Sequence, residues 1–167
     1  MGQQSGKGGG AAASAAGVSW TVPSRWKAQG DRPMRVATYT IPVAPGDPEP
    51  GECGVFFFGA GQGGDVQSNL TRWTNQFEQP DGKTPAAKTE KKTINGIAVT
   101  TISVSGTYLA SMGPMAVGQE KKPNFRLLGV VIAAPGGNVF LKLTGPAKTV
   151  AAAEPEFQGI VASLKKM

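Results

Sequence analysis

Histidine is absent from all 167 residues. That removes Ser-His-Asp and Cys-His nucleophile pairs, zincin helices and every imidazole-ligated metal in one step. Cysteine occurs once, as Cys53, so no disulfide closes within the chain. Glu52 stands beside that thiol and opposes its ionisation, so Cys53 reads as a small hydrophobe and not as a nucleophile. Charged residues make up 17% of the chain, below the ~25% usual for soluble domains. The eleven acids are dispersed; the nearest pairs, Asp47/Glu49 and Glu154/Glu156, fall in a loop and at a helix start, where solubility and capping account for them. No loop carries the alternating acids of a calcium site. No apolar run reaches the ~18 residues of a membrane span. The expectation is therefore no catalytic residue, no cofactor, no metal and no membrane span.

The formal net charge is +6, but the basic residues are scattered from Lys7 to Lys166 with only short doublets among them. Neither a basic stripe nor a reading helix is visible, so no nucleic-acid partner is expected. Glycine (24) and proline (13) are plentiful, and much of that excess lies in the first 50 residues. Residues 1–17 are, after Met1, Gly, Ala, Ser and Gln with one lysine, the composition of a flexible tether. They lack the apolar segment of a signal peptide. A tether ahead of a domain is what remains after signal-peptide removal, and it could carry a lipid anchor in a precursor. Residues 18–167 are expected to form one domain.

That domain is organised around residues 55–77. Val55, Phe56, Phe57 and Phe58 offer no polar side, which predicts a strand covered on both faces. A glycine-rich turn follows, then a helix with Val66, Leu70, Trp73 and Phe77 along one stripe. Asp65 is placed to cap its first turn, and Gln79-Pro80-Asp81-Gly82 to stop it. Gly59-x-Gly61-x-x-Gly64 has the spacing of a dinucleotide fingerprint, but no second parallel strand ending in an acid follows. The glycines read as a tight strand-to-helix turn.

Further strands are predicted at Val18–Val22 and Met34–Ile41. Asn95-Gly96 marks a hairpin between Lys91–Ile94 and Ile97–Tyr108, whose second arm is expected to shift phase at a bulge between Val99 and Ile102. Pro135-Gly136-Gly137 marks another between Arg126–Ala134 and Asn138–Leu143. The chain closes with a short helical turn at Thr149–Ala153. A helix restarting at Pro155 follows, with Phe157, Ile160, Val161 and Leu164 on one side. Hairpins imply antiparallel pairing. The predicted class is α+β, an α/β/α sandwich whose central, mainly antiparallel sheet has six or seven strands flanked by helices.

The candidate binding groove lies between the middle helix and residues 109–123: Asn69, Arg72, Trp73 and Gln76 from the helix, Tyr108 and Met112 from the segment opposite. Trp73 and Met112 would floor it and Arg72 rim it, suiting a peptide or small ligand. The alternative use of the same residues is structural, with Trp73 in the core while Asn69 and Arg72 pin the facing loop. A small-molecule enzyme using this groove is the competing functional class. Ser105 and Ser111 have no imidazole to activate them.

Gly61-Gln62-Gly63-Gly64 with Asn69, Arg72-Trp73 and Gln76-Phe77, then Ser105-Gly106-Thr107-Tyr108, Met112-Gly113-Pro114-Met115 and Lys142-Leu143-Thr144-Gly145-Pro146 together resemble the PsbP-like family. The resemblance runs from about Val18 to Leu164. That family includes an extrinsic photosystem II subunit, a Ran-binding nuclear import factor and many bacterial exported proteins, often lipoproteins. The quoted stretches are most similar to the bacterial exported group. The resemblance implies an antiparallel sheet between helices and an envelope or periplasmic location, and it carries over no catalytic residue. It makes a non-enzymatic binding or accessory domain the expected function, with an envelope protein, peptide or small molecule as partner.

Overall fold

The structure, a computed structural model, describes residues 11–30, 35–111 and 119–167. Asn95 and Gly96 both take positive φ (50° and 80°), the pair of left-handed positions that a two-residue hairpin turn needs. They join β7 (Lys88–Ile94) to β8 (Ile97–Ser111), with Ile94 opposite Ile97. Pro135-Gly136 likewise joins β9 (Gln119–Ala134) to β10 (Gly137–Pro146). With β3 (Lys27–Ala28), β4 (Arg35–Ile41), β5 (Gly51–Phe56) and β6 (Phe77–Glu78), these strands form an eight-stranded sheet. Its order is β3-β4-β5-β10-β9-β8-β6, with β7 also alongside β8. Every pairing in it is antiparallel. The class is α+β as expected, with one or two strands more than expected in the main sheet.

Each face has its own core. On one side Cys53, Val55, Val99, Leu128, Val130, Ile132, Leu141 and Leu143 pack beneath α2 (Ala147–Ala162) and a small sheet of β1 (Ala11–Ala15), β2 (Val18–Val22) and β11 (Lys165–Lys166). On the other, Ile102, Val104, Phe125, Leu127, Val131 and Phe140 pack against Leu70 and Trp73 of α1 (Val66–Thr74). Alternation along β9 and the first half of β10 feeds both cores from the same strands, which is why residues 127–132 and 139–141 read as continuously apolar. Trp26 is buried at the end of the α2-side core, where its indole N–H donates to Glu156 of α2 at 3.1 Å.

Several local expectations change. The tether expected over residues 1–17 is in part a strand, since β1 pairs with β2 from Ala15↔Val18 to Ala11↔Val22. Residues 1–10 lie outside those described. The central apolar strand is shifted toward the N-terminus: β5 ends at Phe56, and Phe57 and Phe58 follow it, each half-buried against a different core. Strand β8 keeps its phase where a shift was expected, because Ile97 and Val99 serve the α2 side while Ile102 and Val104 serve the α1 side. The irregularity comes later, between Gly106 and Tyr108. Phe77 leaves the helix to pair with Tyr108. The last helix runs unbroken through Pro155, whose missing N–H would have bonded the carbonyl of solvent-exposed Ala151. Burial of Val150, Ala153, Phe157 and Ile160 on one stripe outweighs that lost bond.

Candidate functional site

The helix start is built by side chains that the sequence placed correctly. Asp65 caps α1, its carboxylate accepting from the Ser68 amide at 3.0 Å. Hydrogen bonding from the Ser68 side chain first, and then from that amide, holds the carboxyl below its ordinary pKa. Asn69 is buried and donates from Nδ2 to the carbonyls of Gly63 and Asp65, each at 2.9 Å. It thereby ties the glycine turn to the first turn of the helix. Its Oδ1 accepts from Arg72 Nη2, so these two candidates are joined to each other. Trp73 is core: it is 5% exposed and meets Phe140 edge-on at 6.4 Å. Gly129 beneath makes room, since a Cβ there would sit 2.5 Å from the indole Cζ3. Met112 lies outside the described residues, and Trp73 offers no open floor to a groove.

Gln76 and Tyr108 lead instead to a cleft farther along the same face of the sheet. Gln76 Oε1 accepts a 2.5 Å hydrogen bond from the ammonium of Lys142 on β10. Lys142 lies between Leu141 and Leu143, which face the other core, so its own side chain projects on the α1 side past the end of the helix. There Arg35, Glu52, Gly54, Phe56, Tyr108, Lys122, Phe125, Lys142 and Glu49 surround a cleft of about 220 Å³. Phe56 and Arg35 lie across Gly54, where a Cβ would come within 2.8 Å of the Phe56 ring and 3.2 Å of the guanidinium. Arg35 sits 5.0 Å over Phe56, and Lys122 5.6 Å over Phe125. Tyr108 stacks on Phe125 at 5.7 Å and 3°.

The charges in the cleft are unequally matched. Arg35 pairs with Glu52 at 3.1 Å, and Lys122 with Glu49 at 3.0 Å. Among the described residues Lys142 meets only the neutral amide of Gln76. Burial, then the positive charges of Arg35 and Arg72, push its pKa down from 10.5 to about 8; Glu52 opposes them in part. Burial and the Glu52 charge raise the Tyr108 phenol above its ordinary value. Cys53 is fully buried and pushed up to about 12, first by burial, so the thiol is inert. A larger hollow of about 530 Å³ lies between α2 and the β7–β8 hairpin. Its Arg126 and Lys92 are matched by Glu154 and Glu90 at 3.0 and 3.5 Å.

Of the six candidates from sequence, Tyr108 lines the cleft and Gln76 anchors its lysine, while Arg72 acts on that lysine through its charge. Asn69 and Trp73 are structural. Sequence reasoning missed Lys142, Arg35 and Glu52 as site residues. The signal for Lys142 was present: it is the one charge inside the apolar run from Val139 to Leu143.

No family model and no curated protein matches the chain. Among solved structures it is similar to cyanobacterial PsbP (CyanoP) from Synechocystis sp. PCC 6803. The two share 12% sequence identity at a TM-score of 0.55, over 97% of this chain and 95% of that one. The fold is PsbP-like. A Pseudomonas aeruginosa protein of unknown function, PA94, aligns with 12% identity and a TM-score of 0.48 over 92% of this chain and 94% of its own. At 12% identity to CyanoP the fold is shared and the function is not implied. Among the described residues no helix is long and apolar enough to cross a membrane.

Proposed function

We propose that this PsbP-like domain is an exported bacterial binding or accessory domain of the cell envelope, non-enzymatic, which engages a protein, peptide or small ligand through the cleft at Lys142. The observation that carries the reading is the division of charges among the described residues: both acids lining the cleft are held in ion pairs, while the ammonium of Lys142 faces it with only an amide for company. Matched acids suit recognition better than proton transfer, and an unmatched cation beside aromatic faces suits a ligand. The envelope assignment is supported by the stretches that resemble the exported bacterial PsbP-like group, and a lipid anchor through the N-terminal tether belongs to the same reading.

Affinity capture from native envelope extract, with wild type, Lys142→Met and Gly54→Ala side by side, tests the site. The expected result is a component retained by wild type and lost from both variants, whose circular-dichroism melts stay cooperative. An identical set of captured components from all three would discard the cleft.

A further inference from the structure

Lys142 is the cleft's surplus charge. Among the described residues, three cations (Arg35, Lys122 and Lys142) and two acids (Glu49 and Glu52) line the cleft, and both acids are already paired. Arg72 adds a fourth positive charge from α1; its contact is with the amide oxygen of Asn69 and not with a carboxylate. Among the described residues, the groups facing Lys142 are therefore Arg35 from β4, Glu52 from β5, Arg72 from α1, Tyr108 from β8 and Lys122 from β9, with Glu49 from the β4–β5 loop. The balance is positive in a partly desolvated space, where an anion is held more strongly than in water.

We infer that the cleft is a carboxylate-binding site, in which the ligand's anionic group meets Lys142 beside Arg35 and its apolar part lies against Phe56 and Tyr108. This rests on the reading of the cleft as a binding site and adds the chemical class of what it binds. The space, about 220 Å³, falls below the ~300–1,000 Å³ of sites for drug-sized ligands. It suits one terminal residue of a peptide or a small organic acid, and is too small to enclose a nucleotide. A carboxylate is a smaller anion than a phosphate and needs fewer donors, which fits the one ammonium without a carboxylate partner among the described residues of the cleft and a guanidinium already shared with Glu52. The bound anion also restores to Lys142 the opposite charge that it lacks in the free protein. Binding is thus coupled to protonation of Lys142, and affinity falls as pH rises above its midpoint near 8.

The full chain, labelled with ¹³C at the lysine ε carbons, reports this directly, with Lys142→Met assigning the resonance. Three probes separate the sources: acetyl-alanyl-alanine with a free C-terminus, the same dipeptide as its amide, and acetate. The expected result is binding of the free acid at least about tenfold tighter than the amide, equivalent to ~1.4 kcal/mol, with an upward move of the Lys142 titration midpoint. Lys142→Met loses that preference. A dipeptide at least about tenfold stronger than acetate assigns the site to chain termini, and equal affinities assign it to small organic acids. Equal binding of acid and amide, or an unmoved Lys142 midpoint at saturating millimolar acid, overturns the carboxylate. If a captured envelope component still depends on Lys142 after that result, the cleft stands as a binding site and only its anionic ligand is refuted.

Discussion

Replacing Lys142 by methionine should make the folded protein more stable at neutral pH. The ammonium is charged in the folded state at a cost: moving its pKa from 10.5 to about 8 corresponds to about 3 kcal/mol below pH 8. Methionine keeps most of the stem's volume and brings no charge. The loss of the hydrogen bond to Gln76 takes back about 1–2 kcal/mol, which leaves a net gain of about 1–2 kcal/mol at pH 7. The sign with pH follows from proton counts. The unfolded chain keeps the lysine proton up to pH 10.5, whereas the folded one releases it near 8. Between those values the unfolded state holds more protons, so wild-type stability gains from Lys142 as pH rises and the gain is complete above 10.5.

Urea unfolding of both proteins at pH 7, 8, 9 and 10 measures this as a difference curve. Cys53 lowers alkaline stability in both, since its thiol ionises near 9.0 when unfolded and only near 12 when folded. That contribution cancels between wild type and variant. The advantage of Lys142→Met should be largest at pH 7 and shrink steadily above pH 8. A variant less stable than wild type at pH 7, or a difference independent of pH, would refute the placement of an unmatched ammonium in the cleft.

Two further outcomes test the packing around the site. Cys53→Ala removes the alkaline loss, so its stability should go on rising from pH 9 to 10, where wild type levels off because Cys53 and Lys142 act in opposite directions. Equal slopes for the two proteins in urea unfolding would contradict the buried thiol. Gly129→Ala places a methyl 2.5 Å from the Trp73 ring and should cost about 1–3 kcal/mol. In a Trp73→Leu background that cost should largely vanish, as a double-mutant cycle by denaturant unfolding would reveal; an undiminished cost would mean that something other than the ring fills the space.

The parts of the fold legible in the sequence are those fixed by local chemistry. Asn95-Gly96 needs no partner to choose its turn, and Asp65 needs only the amide three residues on. Leu70 and Trp73 share a helical face whatever lies beneath it. What was misplaced depends on pairing. Phe77 fits the helical stripe by spacing, yet backbone hydrogen bonding opposite Tyr108 claims it for a strand. Ala11–Ala15 has no apolar alternation to declare a strand, and it forms one because β2 has an open edge to fill. Phe57 and Phe58 look like the continuation of β5, but packing into two different cores turns the chain out of the sheet.

The site was less legible because it arises where a covering element ends. Helix α1 has nine residues, about 13 Å of length, whereas β10 has ten, about 34 Å at strand rise. The helix can therefore cover Phe140 but not the whole strand, and the sheet face beyond it must find another environment. On β5 and β10 that remainder is Glu52, Gly54, Lys142 and Thr144, polar or without a side chain where the opposite face holds Cys53, Val55, Leu141 and Leu143. One strand pair thus carries an ordinary core on one face and a charged recess on the other. The recess exists because α1 stops at Thr74, and Gln76, two residues past that end, is the group that reaches Lys142.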